Sequence, residues 1–426
     1  MSKFQIILLS VFGVFIVVAV VLFSFARGGS NKSMTVVVWG DIPAYDFNNV
    51  LNSADLSQDN TLQIKYAEKN VATIESDFTE ALATGSGPDL IIFSLDMFWK
   101  NRNKILPIPY GSVSDRDFRD TFIEEGELFL GSEGIYALPL SVDPLVLYYN
   151  RDLLTKAGIA KPLAYWDEIY ATTLKLTEKD AAGNITKSTL ALGEARNITH
   201  AKDILSLLIL QAGAPITQFV GEELRPALSG NFNLPTAPAD SALDFYTQFS
   251  NPAKPYYSWN RSLLPAETHF VSGDSAYYLG YASELRELRT KNPTLNLGVA
   301  SVPQSRVSGK FLTLGYLRGV AISRGTKNAT ASLTAALKLV SRTTSLAFSQ
   351  ELLLPAPRRD ILEERPSDAI LSVFYDSALQ SKGWIDPDNV ATGLIFREMI
   401  ESITSGRART SEATSNASRG LEALIK

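Results

Sequence analysis

MTVVVWG (34–40) is a run of β-branched residues closed by a tryptophan, and it reads as a buried strand of a parallel sheet. Such a strand is apolar on both faces because helices cover both sides, and the following residues supply that cover. A helical stretch leads to LQIKYAE (62–68), a second strand. ATIESDFTEALATG (72–85) then places Ile74, Phe78, Ala81 and Leu82 at helical spacing, with acids in its first turn and Gly85 where a C-terminal glycine belongs. DLIIFS (89–94) completes a βαβαβ unit, so the spacing predicts an α/β fold around a parallel sheet.

Further strands are expected at YALPL (136–140), PLVLYYN (144–150), SAYYLGY (275–281), LNLGVASV (295–302) and TLGYLRGVAI (313–322). Residues 159–270, and those after 326, read as mostly helical. The stretches 213–240 and 251–266 are rich in Pro, Gly and Asn and read as surface loops. No internal repeat stands out.

Composition narrows the chemistry. The 426 residues carry 40 basic and 45 acidic side chains, a net charge of −5, with 45% hydrophobic residues. This is a globular chain of two or three domains without the basic stripe of a nucleic-acid binder. It has no cysteine, which excludes disulfides, thiolate metal sites, thiol nucleophiles and a lipid on an N-terminal cysteine. With only His200 and His269, a multi-histidine metal site is not available. No phosphate loop, dinucleotide fingerprint, nucleophile elbow or calcium loop occurs. Asp386 and Asp388 in DPDN read as turn and helix-cap acids, and the two histidines as ordinary polar residues. Paired carboxylates for glycoside hydrolysis stay open, since 45 acids allow many pairings, while no metal or cofactor is expected.

The first 27 residues are of a different kind. FQIILLSVFGVFIVVAVVLFSFA (4–26) is free of charge and long enough, at 1.5 Å per residue, to cross about 30 Å of hydrocarbon. An uncleaved transmembrane helix is the favoured reading. A cleaved signal peptide is the alternative, because Ser24 and Ala26 are small residues of the type found at cleavage sites. RGGSNKS (27–33) then reads as a flexible stalk. The flanking basic residues do not decide orientation.

Polar and aromatic residues recur at strand ends. Trp39 and Asp41 follow the first strand, Ser94 and Asp96 the third, and Asp143 follows YALPLSV. Tyr281 and Ser283 follow SAYYL, while Gly315 and Tyr316 lie in a later strand. Ligands of open parallel sheets bind outside the carboxyl ends of strands. Flat aromatic faces beside carboxylate acceptors suit a polyol.

GIYALPLSVDPLVLYYNRDLLTKAGIAKPLAYWDEI (134–169) resembles family 1 extracellular solute-binding proteins, the maltose- and multiple-sugar-binding components of ABC importers. VVVWG (36–40), ALATGSGPDLIIFSLDMF (81–98), YYLGYASEL (277–285), GVASVPQ (298–304) and SGRARTSEATSNASRGLEALI (405–425) agree in order. Tyr165 departs from the pattern, standing where the family has a helix-capping Thr or Ser, so that helix is expected to start without a side-chain cap.

The resemblance implies a two-lobe, type II periplasmic-binding-protein-like clamshell preceded by the N-terminal transmembrane helix. Residues 1–27 would be the anchor and 28–33 the stalk. Residues 34–142 plus 300–344 would form lobe 1, and 143–299 plus 345–426 lobe 2. The ligand, a sugar or oligosaccharide, would lie between the lobes against Trp39, Asp41, Ser94, Asp96, Asp143, Tyr281, Ser283, Gly315 and Tyr316. A monomer held to the cell membrane by residues 4–26, its soluble part extracellular or periplasmic, would pass ligand to an ABC permease without performing chemistry. The alternatives are a membrane-anchored glycoside hydrolase and a surface receptor without a transporter.

Overall fold

The computed structural model describes residues 33–306 and 311–426. The apolar run 4–26 lies outside the described residues, and among these no helix is long and apolar enough to cross a membrane. The main strands are β1 (Met34–Gly40), β2 (Leu62–Glu68), β3 (Leu90–Ser94), β4 (Leu138–Asn150), β5 (Ile185–Leu190), β6 (Ser275–Tyr281), β7 (Leu297–Ala300) and β8 (Thr313–Ser323). β1 lies between β2 and β3 in parallel register, Met34 opposite Leu62 and Val38 opposite Leu90. β8 runs antiparallel to β3, with Arg318 opposite Ser94, and to β4, with Tyr316 opposite Asp143. Beyond Pro144, β4 exchanges β8 for β6 and β7, with Leu145 opposite Tyr281 and Leu147 opposite Ala300. β5 pairs parallel to β6.

The two strands expected at 136–140 and 144–150 are one 13-residue strand, buried along almost its whole length. Its two prolines lack a ladder donor, and the structure accommodates both. Pro139 sits at the irregularity in the β4–β8 register, and Pro144 faces Gly315 where β4 changes partners.

The continuous apolar runs of the first sheet are explained by alternation between two cores. Leu90 and Ile92 pack with Val36, Val38, Phe47 and Val320 on one face. Ile91 and Phe93 pack with Phe78, Phe98, Phe129 and Leu317 on the other. A separate large core gathers Leu145 to Tyr148, Trp259, Phe270, Phe396 and Leu421. Val302, Leu312 and Leu314 belong to it as well, so the returning chain enters the first body's core after Leu314.

The helix predicted after β2 spans Ile74–Ala83, burying Ile74, Phe78 and Ala81. Gly85 ends it at φ +71°, its N–H bonding Leu82 O at 3.2 Å while Ser86 N–H reaches Ala81 O at 2.9 Å. That pairing is the glycine-terminated helix end its sequence position implied. The helix Glu168–Leu176 starts without a side-chain cap, as expected from Tyr165. Glu168 instead reaches back to accept from Ala164 N at 2.9 Å and Tyr165 N at 3.3 Å.

Two strand features differ from the sequence reading. β5 falls in a region read as helical, and Thr217–Val220 and Glu223–Pro226 form a hairpin inside a region read as loop. β5, ITKSTL, has too few apolar residues to announce itself. The hairpin turns at Gly221, φ +65°, a two-residue connection of the kind that needs positive φ.

Candidate functional site

A cavity of about 250 Å³ opens where the chain passes between the first body and the second. Leu95 and Asp96 line it from the helix that follows β3, and Tyr281 from the end of β6. Leu314, Gly315, Tyr316 and Leu317 of β8 form one wall. His200, Lys202 and Asp203 enter from the start of the helix Ala201–Gln211. Gly383, Trp384, Asp386 and Asn389 enter from the segment leading into the helix Asn389–Thr404.

Asp96 sits in the first turn of its helix and accepts a hydrogen bond from the Ser94 hydroxyl. Burial pushes its carboxyl up to about 6, more than Ser94 and Lys202 can offset, and the charges of Asp386 and Asp203 add to the rise. Across the cavity, His200 donates Nε2–H to Glu284 Oε1 at 2.8 Å, with Nδ1 3.5 Å from Asp203 Oδ2. Burial disfavours its charge, but the two carboxylates outweigh burial and lift the imidazole to about 10. His200 is therefore a cation at neutral pH.

Glu284 does further structural work. It accepts from the Tyr278 hydroxyl at 2.6 Å and from Tyr281 N at 2.7 Å. The Tyr281 carbonyl accepts from the Tyr148 hydroxyl at 2.7 Å. The Tyr281 ring meets His200 at 5.1 Å and 89°, and Tyr316 at 6.1 Å and 64°. Both ends of its backbone are thus bonded and its ring is packed by two neighbours, which preorganises an aromatic surface in the cavity.

Lys202 pairs with Asp386 and donates to Asn389 Oδ1 at 2.7 Å and the Thr392 hydroxyl at 2.9 Å. Its ammonium also lies 5.5 Å from the Trp384 ring. Asp388 caps the helix Asn389–Thr404 by accepting from Ala391 N at 3.1 Å, the role expected of it.

The remaining residues anticipated from strand ends lie around or beneath this cavity. Asp41 is clamped by Arg318, at 2.9 Å from Nη2, and the Arg318 guanidinium lies 5.1 Å from the Tyr316 ring. Asp143 is only 5% exposed and accepts from Ser283 N at 3.0 Å. Burial raises its carboxyl to about 6 in spite of the Ser283 bond and Arg318. Trp39 carries the Lys69 ammonium 3.7 Å over its ring and is not part of the cavity wall. Of the nine candidates, Asp96, Tyr281, Gly315 and Tyr316 line the cavity, Ser94 bonds to Asp96 behind its wall, and Asp143 and Ser283 bond to each other outside it.

His200, Lys202, Asp203, Trp384 and Asp386 were not anticipated as site residues. GWIDPDN (383–389), a tryptophan among turn-forming acids, is the one local signal that could have drawn attention to part of this set. The glycines flanking the cavity have a steric reason. A Cβ on Gly315 would stand 1.9 Å from Glu125 Oε2, and one on Gly383 2.8 Å from Glu125 Oε1. Glu125 is itself buried, and burial pushes its carboxyl up to about 7.

Comparison with known proteins places this geometry. A cyclo/maltodextrin-binding protein solved with maltotetraose superposes with a TM-score of 0.76 at 16% identity, over 94% of this chain and 99% of that one. The cyclic α-maltosyl-1,6-maltose binding protein of Arthrobacter globiformis gives 0.75 at 15% identity, over 93% and 100%. At such identities the likeness concerns the fold, which is the two-lobe α/β periplasmic-binding-protein-like architecture. A Brucella abortus protein named for binding is 30% identical over 102 residues, 23% of this chain, so the match spans about a quarter (24%) of the length of that curated relative. Residues 62–341 match the family of bacterial extracellular solute-binding proteins, and the chain belongs to that family.

Proposed function

We propose that this chain captures a sugar outside the cell and delivers it, unchanged, to an ABC permease. Residues 4–26 would hold it to the membrane as a monomer, and the remainder would face the extracellular or periplasmic space. The lobes are 34–142 with the returning segment 300–344, and 143–299 with 345–426, the start of the returning segment still packing in the second core through Val302, Leu312 and Leu314. The observation that carries the reading is the placement of the cavity. It lies at the junction of separate hydrophobic cores, its walls come from both, and β8, which passes from one core to the other and pairs with β4, forms one of them.

Within that reading, Asp96 accepts ligand hydroxyls, and Tyr281 and Tyr316 offer ring faces. Gly315 leaves room for close approach to the backbone. Ser94 holds Asp96 from behind the cavity wall, and Asp143, Ser283, Asp41 and Trp39 stand outside it. The energetics are adequate. A hydrogen bond to a carboxylate contributes about 1.5–3 kcal/mol, and micromolar affinity requires only about −8 kcal/mol. Two or three such bonds and one ring contact suffice. The cavity falls just below the range of about 300–1,000 Å³ typical of ligand pockets, which favours a small sugar over a long oligosaccharide. Hinge closure then adds the second lobe's contacts to those of the first.

Small-angle scattering on the full-length chain tests the mechanism. A sugar that raises the melting temperature should also reduce the radius of gyration. Binding without any contraction would refute capture by lobe closure. Fractionation tests the anchor: the chain should remain with membranes at high salt, and a soluble mature form beginning at Arg27 would refute it.

A further inference from the structure

The charges in and against the cavity do not balance. Asp96, Asp203, Glu284 and Asp386 contribute four acids, and His200 and Lys202 two cations, a surplus of two negative charges when Asp96 is ionised. The neighbouring groups do not offset this. Arg318 is matched by Asp41, Lys100 is matched by Asp388, and Asp143 is a further acid.

The cations are also committed. Lys202 is surrounded by the acceptors of Asp386, Asn389 and Thr392, and both nitrogens of His200 face carboxylates. Acceptor capacity, by contrast, is left over. Asp96 Oδ1 takes the Ser94 hydroxyl and Asp203 Oδ2 faces His200, while among the described residues Asp96 Oδ2 and Asp203 Oδ1 have no hydrogen-bond partner. The aromatic lining has the same polarity. The rings of Tyr281, Tyr316 and Trp384 line the cavity, an aromatic face attracts a cation, and the Lys202 ammonium already lies 5.5 Å from the Trp384 ring. A donor-rich ligand satisfies the free oxygens, and one carrying a positive charge also neutralises the surplus. In a half-buried cavity such attraction is screened less than at an open surface.

We infer that the preferred ligand is an amine-bearing sugar, its ammonium held between Asp96 and Asp203 beside the aromatic rings. This rests on the sugar-capture reading and specifies its substrate class. The carboxylates alone do not define the site. The enclosed cavity at the junction of the cores defines it, and the carboxylates set the charge it accepts.

Matched pairs test the inference by calorimetry on the full-length chain: glucosamine against glucose, and fully deacetylated chitobiose against cellobiose, with maltose as a third neutral sugar. Each amine replaces one hydroxyl of its partner. The amine is expected to bind at least tenfold more tightly than its neutral partner in one pair or both. That advantage should shrink as salt rises and should diminish in D96N and in D203N, each verified as folded by circular dichroism. Neutral partners binding as well as the amines would overturn the inference and leave the sugar-capture reading standing, as would binding of maltose alone. An amine preference indifferent to salt and to both substitutions would overturn the assignment to these carboxylates. Failure of every sugar to bind would refute both readings.

Discussion

Replacing Asp143 by asparagine removes a charge and keeps an acceptor, which makes the substitution a direct measure of what that buried carboxylate costs the fold. Asp143 lies in the middle of β4, is 5% exposed, and accepts from Ser283 N at 3.0 Å. Burial raises its carboxyl from 3.8 to about 6. A native state that binds its proton more tightly than the unfolded chain loses stability as pH rises through that interval. That rise costs the folded state about 3 kcal/mol at 1.36 kcal/mol per tenfold change in proton affinity, a cost absent well below pH 3.8 and complete above pH 6. Between pH 4.5 and 7.5, about 2 kcal/mol of this falls due by the same linkage relation. Urea unfolding of the wild type and Asp143→Asn, followed by tryptophan fluorescence, should show the variant gaining about 2 kcal/mol on the wild type across that range. Asp143→Ala should lack the Ser283 bond as well, and lie about 0.5–1.5 kcal/mol below Asp143→Asn at every pH, the worth of a neutral hydrogen bond. Parallel pH curves for wild type and Asp143→Asn would refute the buried, proton-binding carboxyl. The opposite expectation, drawn from the strand-end position alone, has Asp143 facing solvent and ligand; it predicts unchanged stability and a ten- to hundredfold loss of affinity.

Gly315→Ala should fail to keep the native packing, because the new methyl would stand 1.9 Å from a buried Glu125 oxygen; a double variant with Glu125→Ala should recover most of the lost melting temperature. His200→Gln breaks a partly buried charge cluster and should cost roughly 3–5 kcal/mol, most below pH 6.5 and progressively less as pH rises through about 10, where the wild-type imidazolium discharges. A cost that stays constant from pH 6 to 10 would show that His200 is not charged in the folded state. Tyr281→Ala should weaken sugar binding and Tyr281→Phe much less, since the ring is held by its neighbours and its backbone; equal losses by titration calorimetry would assign the contact to the hydroxyl.

What was legible in the sequence is what local pattern determines. β1, β2 and β6 begin and end where their β-branched and aromatic runs do, and Gly85 marks a real helix end. Asp96 and Tyr281, singled out at strand ends, and Gly315 and Tyr316, singled out inside a strand, line the cavity, which opens beside strand ends as the crevice of an α/β fold does. The rest of the site has no local signature. Lys202 meets Asp386 across 184 positions, Asp41 meets Arg318 across 277, and Asp143 meets Ser283 across 140. A charged residue near a helix start looks like a cap or a solvated side chain until its distant partner is known. His200 looked ordinary for that reason: Asp203 stands three residues on, but Glu284, the second carboxylate that holds its charge, is distant in sequence.

The strands that carry the site are also those that join the two bodies, and their pairing links one property to the other. Tyr316 of β8 stands opposite Asp143 of β4, and two residues further along β4, Leu145 stands opposite Tyr281 of β6. Between those two rows lies Pro144 opposite Gly315. At that pair Pro144 offers no ladder donor and Gly315 no side chain to pack. It is also where β4 leaves one core for the other. Glu125 fills from below the space that side chains at Gly315 and Gly383 would occupy, so that thin place is closed by a carboxyl and not by a hole. A rotation of one body on the other must flex these strands beside the cavity. On the proposed reading, a ligand wedged against Tyr281 and Tyr316 would act on that same row of residues, and occupancy of the cavity and the angle between the bodies would become one mechanical variable.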